Sequence, residues 1–161
     1  MRHGSALPVL ETTVVCDWVD YNGHMNDAAY AIVFSRSVDA LMDRVGLDAA
    51  ARKQSGQTLF TLQMMLHYFE EAKEGDALSV SCQLLEHDDK RMRVWLDMTA
   101  RDGARLAASE QLLISVAQGE GSARAVAWSF ETKAALEALA KAQSRLPHPP
   151  AAGSGVALKR S

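Results

Sequence analysis

A long run without proline or glycine, residues 27–45, constrains the fold more than any other part of this sequence. Its first part, AAYAIVF at 28–34, is apolar on all sides, which for a helix in a soluble protein requires enclosure on every side. Gly46 follows as a stop signal, so the run predicts one helix of about five turns with a buried N-terminal half. Apolar residues recur through it at helical spacing: Phe34, Val38, Leu41, Met42 and Val45.

Alternating apolar residues elsewhere predict strands. Residues 10–15 are rich in β-branched side chains and indicate a first strand. Further along, apolar residues occupy the even positions of three runs, each of which predicts a strand with one buried face. A fourth run follows the Asp102-Gly103 hairpin signal. These four runs are 60–68, 78–84, 92–98 and 105–116.

A helix that is apolar all round is satisfied if a one-sided sheet curls around it. We therefore predict an α+β domain in which a long central helix is wrapped by a five-stranded antiparallel sheet. Residues 129–145 predict a C-terminal helix of about three turns with Ser129 or Thr132 as its cap, whereas 47–57 is polar and typical of a loop. Residues 1–145 form the predicted single domain, and 146–161, rich in proline, glycine and serine, a flexible tail.

Composition excludes several classes of function. A formal net charge of -3 without a basic block argues against nucleic-acid and anionic-membrane partners. There is no run of 18 apolar residues and no secretory signal, so a cytoplasmic protein is expected. Cys16 and Cys82 form no CxxC, and His67 and His87 have no metal-ligand spacing, so neither metal nor cofactor is expected.

Polar chemistry concentrates in the segment DYNGHMNDAAY, residues 20–30, directly before the buried helix. Its order of an acid, two residues, Gly-His-x-Asn and then a tyrosine resembles the hotdog-fold acyl-CoA thioesterases of the 4-hydroxybenzoyl-CoA thioesterase type. The resemblance covers about 14–116, including HYFEEAKEGDALSVSCQLLEHDDKRMRVWLDM, which is similar to the central strands of that family. Within the family, the chain resembles the betainyl-CoA thioesterase-like subgroup.

The resemblance implies a hotdog fold, an acyl-CoA substrate and a homodimer or homotetramer with sites between subunits. Asp20 matches the catalytic carboxylate, as general base or as nucleophile, and Gly23, His24 and Asn26 match the loop that enters the central helix. Thioester hydrolysis needs such a carboxylate together with donors for the developing oxyanion, which free N–H groups of residues 26–28 at a helix start can supply. We take Asp20, His24 and Asn26 as catalytic candidates, although each also suits a purely structural turn or cap.

The candidate substrate-binding residues are less specific. Exposed arginines can bind the phosphates of CoA or simply face solvent. Where members of the subgroup show Thr-x-Glu-x-His, this chain has Thr61, Gln63 and Met65, so a non-catalytic acyl-CoA-binding or structural subunit is the alternative. Aromatic residues that could attract a quaternary ammonium are Trp18, Tyr21, Tyr30, Phe34 and Tyr68. The substrate-binding candidates are Gly23, Asp27, Tyr30, Gln63, Arg91 and Arg93.

Overall fold

A computed structural model describes residues 4–158 of the chain. A long central helix is enclosed by a curled antiparallel sheet, which confirms the predicted α+β hotdog architecture. A short 3-10 turn, Cys16–Trp18, precedes the central helix. In chain order, the elements are β1 (Leu7–Thr13), α1 (Asp27–Arg44), α2 (Ala49–Ser55), β2 (Gln57–Tyr68), β3 (Ala77–His87), β4 (Arg91–Ala100), β5 (Arg105–Ala117), β6 (Arg124–Ala125) and α3 (Phe130–Ala142).

The strands lie in the order β1-β3-β4-β5-β2, and every pairing is antiparallel. The two-residue β6 extends the end of β5. The first strand begins and ends earlier than the predicted 10–15, because the chain leaves the sheet after Thr13 to form the 3-10 turn. The long strand β2 closes one end of this order, so one of its edges is unpaired within residues 4–158.

Helix α1 supplies the centre of the core, but the prediction that its N-terminal half is enclosed on every side is wrong, since Ala28 is exposed and Ile32 is 44% exposed. Its Val33, Phe34 and Leu41 are fully buried, and it packs against β1 and β3. The inward positions of β3 and β4 are also buried, which confirms the alternation predicted for those two strands. They are Leu78, Val80, Cys82, Leu84, Met92, Val94, Leu96 and Met98.

The prediction that the even positions of 60–68 share one buried face is wrong. Thr61 pairs with Leu113 and Gln63 pairs with Leu112, so the residue between them forms a bulge. A bulge shifts the alternation by one residue, which places Thr61 and Met64 on the same face. The apolar side chains of this strand are substantially exposed: Phe60 41%, Leu62 51%, Met64 39% and Tyr68 50%.

Residues 47–57 were expected to form a loop, but they contain α2. The Asp48 carboxylate caps this helix by accepting a hydrogen bond from the N–H of Ala51 at 2.8 Å. Gly56, with φ of 69°, ends it in the left-handed conformation. No residue of α2 is buried. The sequence marks this helix only by its two caps and its alanines. It lacks the apolar stripe by which a buried helix is predicted.

Helix α3 is capped by Ser129, one of the two predicted caps, whose Oγ accepts from the N–H of Thr132 at 3.2 Å. Beyond α3, residues 147–153, here called the strap, cross the outer face of the sheet. The carbonyl of Pro147 accepts from Gln83 at 3.2 Å. Ala151 and Ala152 pack against a small apolar cluster of Leu85, Trp95 and Ala108. The division into a domain 1–145 and a flexible tail 146–161 stays a prediction. The strap lies within that predicted tail and makes the contacts given above.

No helix in the described part of the chain is long and apolar enough to cross a lipid bilayer.

Because Phe34 fills the centre of the core, we expect Phe34→Ala to lower the free energy of unfolding by about 3–5 kcal/mol. Phe130, which is 85% exposed at the start of α3, is the matched control. Phe130→Ala should change the free energy by less than about 0.5 kcal/mol. Urea unfolding followed by circular dichroism measures both, and equal losses would contradict the assigned core.

Candidate active site

The loop before α1 is a tight turn that the Asp20 carboxylate holds in shape. Asp20 N–H donates to the carbonyl of His24 at 2.8 Å, and Gly23, with φ of 77°, donates back to the carbonyl of Asp20 at 2.9 Å. The Oδ1 atom of Asp20 accepts from the backbone N–H groups of Asn22 at 2.8 Å and His24 at 3.3 Å. Its other oxygen has no hydrogen bond within residues 4–158. One oxygen of the half-buried carboxylate is therefore structural, and the other is available for chemistry.

The imidazole of His24 faces a neighbouring acid rather than Asp20. Its Nε2 lies 3.3 Å from a carboxylate oxygen of Glu71, and its backbone forms an isolated bridge with Lys73. Asp20 contacts His24 only through the backbone within the described chain. The Glu71 contact was missed by the sequence analysis, because it joins two loops that are distant in sequence. It makes Glu71 the residue that orients the imidazole.

The start of α1 uses most of its backbone donors internally. Asn26 is the N-cap, and its Oδ1 accepts from the N–H of Ala28 at 2.9 Å. The carboxylate of Asp27 accepts from the same N–H at 2.8 Å, while the N–H of Asn26 donates to Trp18 at 2.7 Å. The amides of Asn26 and Ala28 are thus unavailable to an oxyanion, contrary to the prediction for 26–28. In the described chain, the N–H of Asp27 alone among these three has no partner.

Two tyrosines fasten the end of β2 to this helix start. The hydroxyl of Tyr30 donates to the carbonyl of Glu70 at 3.4 Å and accepts from the N–H of Ala72 at 3.2 Å. The hydroxyl of Tyr68 donates to the carbonyl of Asp27 at 3.1 Å, and the two rings meet edge to face at 5.2 Å. Burial raises the pKa of both hydroxyls, so both remain donors at neutral pH. Tyr30 is buried in the core, whereas the half-exposed Tyr68 borders the site.

The five aromatic residues expected near one acyl group do not form a common pocket in the described chain. Phe34 is fully buried, and the guanidinium of Arg36 covers the Trp18 ring at 5.1 Å from its centroid. Tyr21 is 97% exposed. Only Tyr68 combines a fixed hydroxyl beside the helix start with an accessible ring. Some of these aromatic residues are therefore buried in the core and others are exposed. Residue type alone does not predict which.

Gln63, Arg91 and Arg93 come together in a second place, a cleft of about 500 Å³ here called the outer cleft. Both arginines are already paired with acids. Arg91 lies 2.6 Å from Asp88, and the Lys90 backbone N–H together with the Arg91 guanidinium lowers the pKa of Asp88 to about 2. The candidate site residues thus lie in two places. Gln63, Arg91 and Arg93 lie in the outer cleft. The other candidates form what we call the helix-start cluster: Asp20, Gly23, His24, Asn26, Asp27 and Tyr30. The other residues that line the outer cleft are Glu86, His87, Asp88, Met92 and Leu112.

The remaining titratable groups add little to either cluster. Within residues 4–158, no group of three or more His, Cys, Asp or Glu side chains is arranged to hold a metal ion. Cys82, buried in the core, has its pKa raised by burial to about 12 and is therefore not a nucleophile at neutral pH. The chemistry available at the helix-start cluster is that of a carboxylate, a free N–H group and a positive helix end.

Residues 14–143 match the family model of the Thioesterase-like superfamily. A betainyl-CoA thioesterase of Pseudomonas aeruginosa is 42% identical over 153 residues, which cover 94% of this chain and 95% of that protein. An L-carnitine dehydrogenase/betainyl-CoA thioesterase of Agrobacterium fabrum is 37% identical over 139 residues, which are 86% of this chain but only 28% of that protein.

Solved structures agree with the sequence match. A putative thioesterase from Pseudomonas putida superposes with a TM-score of 0.82 and 37% identity, covering 97% of this chain and 99% of the other. A hypothetical protein of Staphylococcus aureus, solved in complex with CoA, gives a TM-score of 0.87 and 27% identity, covering 96% and 97%. This chain belongs to the Thioesterase-like superfamily and is a thioester hydrolase with the hotdog fold.

Proposed function

We propose that the protein hydrolyses the thioester of a short-chain acyl-CoA, with betainyl-CoA as the first choice, and that Asp20 carries the reaction. The observation that carries this proposal is the free oxygen of the Asp20 carboxylate in a turn that leads into the N-terminal end of α1. Carboxylates in such a position can activate water or attack a carbonyl. The named activities of the relatives support a CoA ester as the substrate.

In the general-base route, Asp20 takes a proton from water as the water oxygen attacks the thioester carbonyl. In the nucleophilic route, the carboxylate oxygen attacks first and water then cleaves the resulting anhydride. Both routes pass through an oxyanion, which the free N–H of Asp27 and the helix dipole stabilise. The carbon–sulfur bond then breaks and the thiolate of CoA leaves. It takes its proton from the protonated Asp20 in the general-base route, and in the nucleophilic route from the water that cleaves the anhydride, and the free acid is the other product.

His24 and Asn26 have supporting roles in this proposal. Asn26 fixes the helix start by capping it, and Gly23 allows the turn that aims the Asp20 carboxylate. Glu71 holds the His24 imidazole at the mouth of the site, where both groups are partly exposed. Asp27 contributes its backbone N–H, while Tyr30 holds the adjoining segment through Glu70 and Ala72. The side chain that changes its bonding during the reaction is Asp20.

We expect Asp20→Asn to reduce the turnover of the CoA ester by about a hundredfold or more, because asparagine cannot act as base or nucleophile. Its side-chain oxygen can still accept from Asn22 and His24, so the melting temperature should change little. Release of CoA, followed with a thiol reagent, measures turnover. Asp17→Asn, an exposed acid in the preceding 3-10 turn, is the matched control. Near wild-type turnover by Asp20→Asn would contradict the assignment.

A cationic acyl group suits the charges around the helix start. Asp27, Glu70, Glu71 and Glu74 are exposed acids near the loop in sequence or by contact, with Lys73 as the base among them. Such a setting favours a positive substituent and repels an anionic one. The accessible Tyr68 ring adds an aromatic face that can contact a quaternary ammonium. These features support betainyl-CoA over neutral short-chain esters.

Comparing betainyl-CoA with 3,3-dimethylbutanoyl-CoA tests the cationic substrate, because a carbon replaces the nitrogen and the shape is kept. We expect kcat/KM to be about tenfold higher for the cationic ester, which corresponds to the 1–2 kcal/mol of a cation–π contact with acidic support. Palmitoyl-CoA should be hydrolysed poorly. Equal turnover of the neutral isostere would remove the argument from charge, and a preference for palmitoyl-CoA would remove the short acyl chain.

We infer that a second copy of the chain pairs with the free edge of β2 and that the protein is a homodimer or a homotetramer of such pairs. The strand carries no proline, lysine or acidic residue, so it lacks the features that normally protect an exposed edge. Its exposed Phe60, Leu62 and Met64 provide apolar surface for the partner. Antiparallel pairing would bring the Tyr68 end of one β2 towards the Gln57 end of the other.

Light scattering should therefore give at least twice 17.5 kDa for the wild-type chain at micromolar concentration. Leu62→Lys, at the bulge of the free edge, should shift the mass towards 17.5 kDa by placing a charge in the pairing. Phe130→Lys removes an equally apolar, more exposed side chain away from this edge and should leave the mass unchanged. A wild-type mass of one chain would contradict the pairing.

We also propose a cytoplasmic location. Both cysteines are free, and Cys16 is exposed, which suits a reducing compartment.

A further inference from the structure

Two carboxylates of unequal exposure share the guanidinium of Arg93 in the outer cleft. Glu110 contacts Nη1 at 2.9 Å, and its side chain is only 13% exposed. Glu86 lies 3.0 Å from Nε with its side chain 67% exposed. The Nε–H of Arg93 is nevertheless buried without a hydrogen bond, because the Glu86 oxygen is close but poorly aligned. Glu110 is therefore the firm partner of Arg93, and Glu86 is the loose one.

The strap fixes Glu110 from the other side. The backbone N–H of Gly153 donates to both oxygens of this carboxylate, at 2.7 and 3.1 Å. Gly153 has φ of 75°, and a Cβ built on it would lie 3.8 Å from Nη1 of Arg93. Ala151 and Ala152 anchor the same segment on Leu85, Trp95 and Ala108. The strap, Glu110 and Arg93 thus form one connected row that reaches the outer cleft at Arg93.

We propose that Glu110, held by the strap, is a positioning residue that orients Arg93 to bind a phosphate group of CoA in the outer cleft. In the described chain, the Nη2 group of Arg93 has no hydrogen bond, so this nitrogen is left for a ligand, whereas Nε is buried beside Glu86. A guanidinium that is oriented in advance loses less freedom when it binds an anion. Glu86, exposed and misaligned, competes with that anion for Arg93.

This inference rests on the proposed acyl-CoA substrate. It adds that the two carboxylates have opposite effects on binding, although both are acids beside the same arginine. Removing the charge of Glu110 releases Arg93 and weakens the binding of CoA. Removing the charge of Glu86 removes a competitor and strengthens it. A merely structural role would make both changes act in the same direction, or leave binding unchanged while lowering stability.

Calorimetric titration with free CoA, and with pantetheine as a probe without phosphate, tests this role directly. We expect Glu110→Gln to weaken CoA binding about five- to tenfold, because a displaced guanidinium makes a poorer charge-assisted contact with the phosphate. We expect Glu86→Gln to strengthen CoA binding about two- to threefold. Pantetheine binding should be unchanged in both variants. Equal weakening by both, or an equal effect on pantetheine, would overturn the proposal.

Two proline substitutions isolate the strap. Gly153→Pro removes the N–H that holds Glu110 and cannot adopt the observed φ, so it should weaken CoA binding as Glu110→Gln does. Gly155→Pro introduces the same residue at a second glycine with positive φ, which does not contact Glu110, and should leave CoA binding unchanged. Equal effects of the two prolines would assign the result to a general disturbance of the C-terminal segment and overturn the role of the Gly153 contact.

Turnover separates this inference from the proposed function. With betainyl-CoA, Glu110→Gln should raise KM and leave kcat within about twofold, whereas betainyl-N-acetylcysteamine, which lacks phosphate, should show no change. If wild-type protein binds CoA but hydrolyses no CoA ester, the proposed function fails while the binding experiment still decides the role of Glu110. If wild-type protein binds CoA no better than pantetheine, the phosphate site itself is refuted.

Discussion

Burial of one face of α1 against the sheet is the constraint on which the rest of the structure depends. The first backbone donors of a helix have no partner within it, so side chains and neighbouring carbonyls must satisfy them. Asn26, Asp27 and the carbonyl of Trp18 do this here, and Asp20 shapes the turn before them. The first role of the polar segment 20–27 is therefore to satisfy the backbone donors at the start of that helix.

The polar atoms that make no structural hydrogen bond define the chemistry of the site. Each polar group in the turn would by itself be explained by capping, which is why residue type alone does not distinguish a cap from a catalytic acid. The hydrogen bonds make the distinction: among the residues that the structure describes, Asp20 keeps one free oxygen and Asp27 keeps one free N–H. Asn26 keeps neither its capping oxygen nor its backbone N–H. On our proposal, Asn26 therefore supports the reaction by capping the helix.

Periodic patterns in the sequence correctly predicted those elements whose side chains are buried by residues of the same chain. The inward face of the central helix and the inward positions of β3 and β4 are buried within one chain, and the sequence analysis placed them correctly. Helix α2 was missed because an exposed helix needs no apolar stripe, although Asp48 and Gly56 marked its ends. The Glu71 and Glu110 contacts were out of reach, since each joins segments distant in sequence.

The failure at β2 has a different origin. Its apolar residues alternate as if one face were buried, yet the bulge at Leu62 splits that face and leaves Phe60, Leu62 and Met64 exposed. Such a strand is unfavourable for an isolated chain, because it exposes apolar surface together with an unpaired edge. The proposed pairing with a second copy removes both costs at once. On that proposal, the apolar pattern of β2 suits a strand that is buried between two chains rather than exposed on one. Gln63, on the same strand, then belongs to a site that two chains complete.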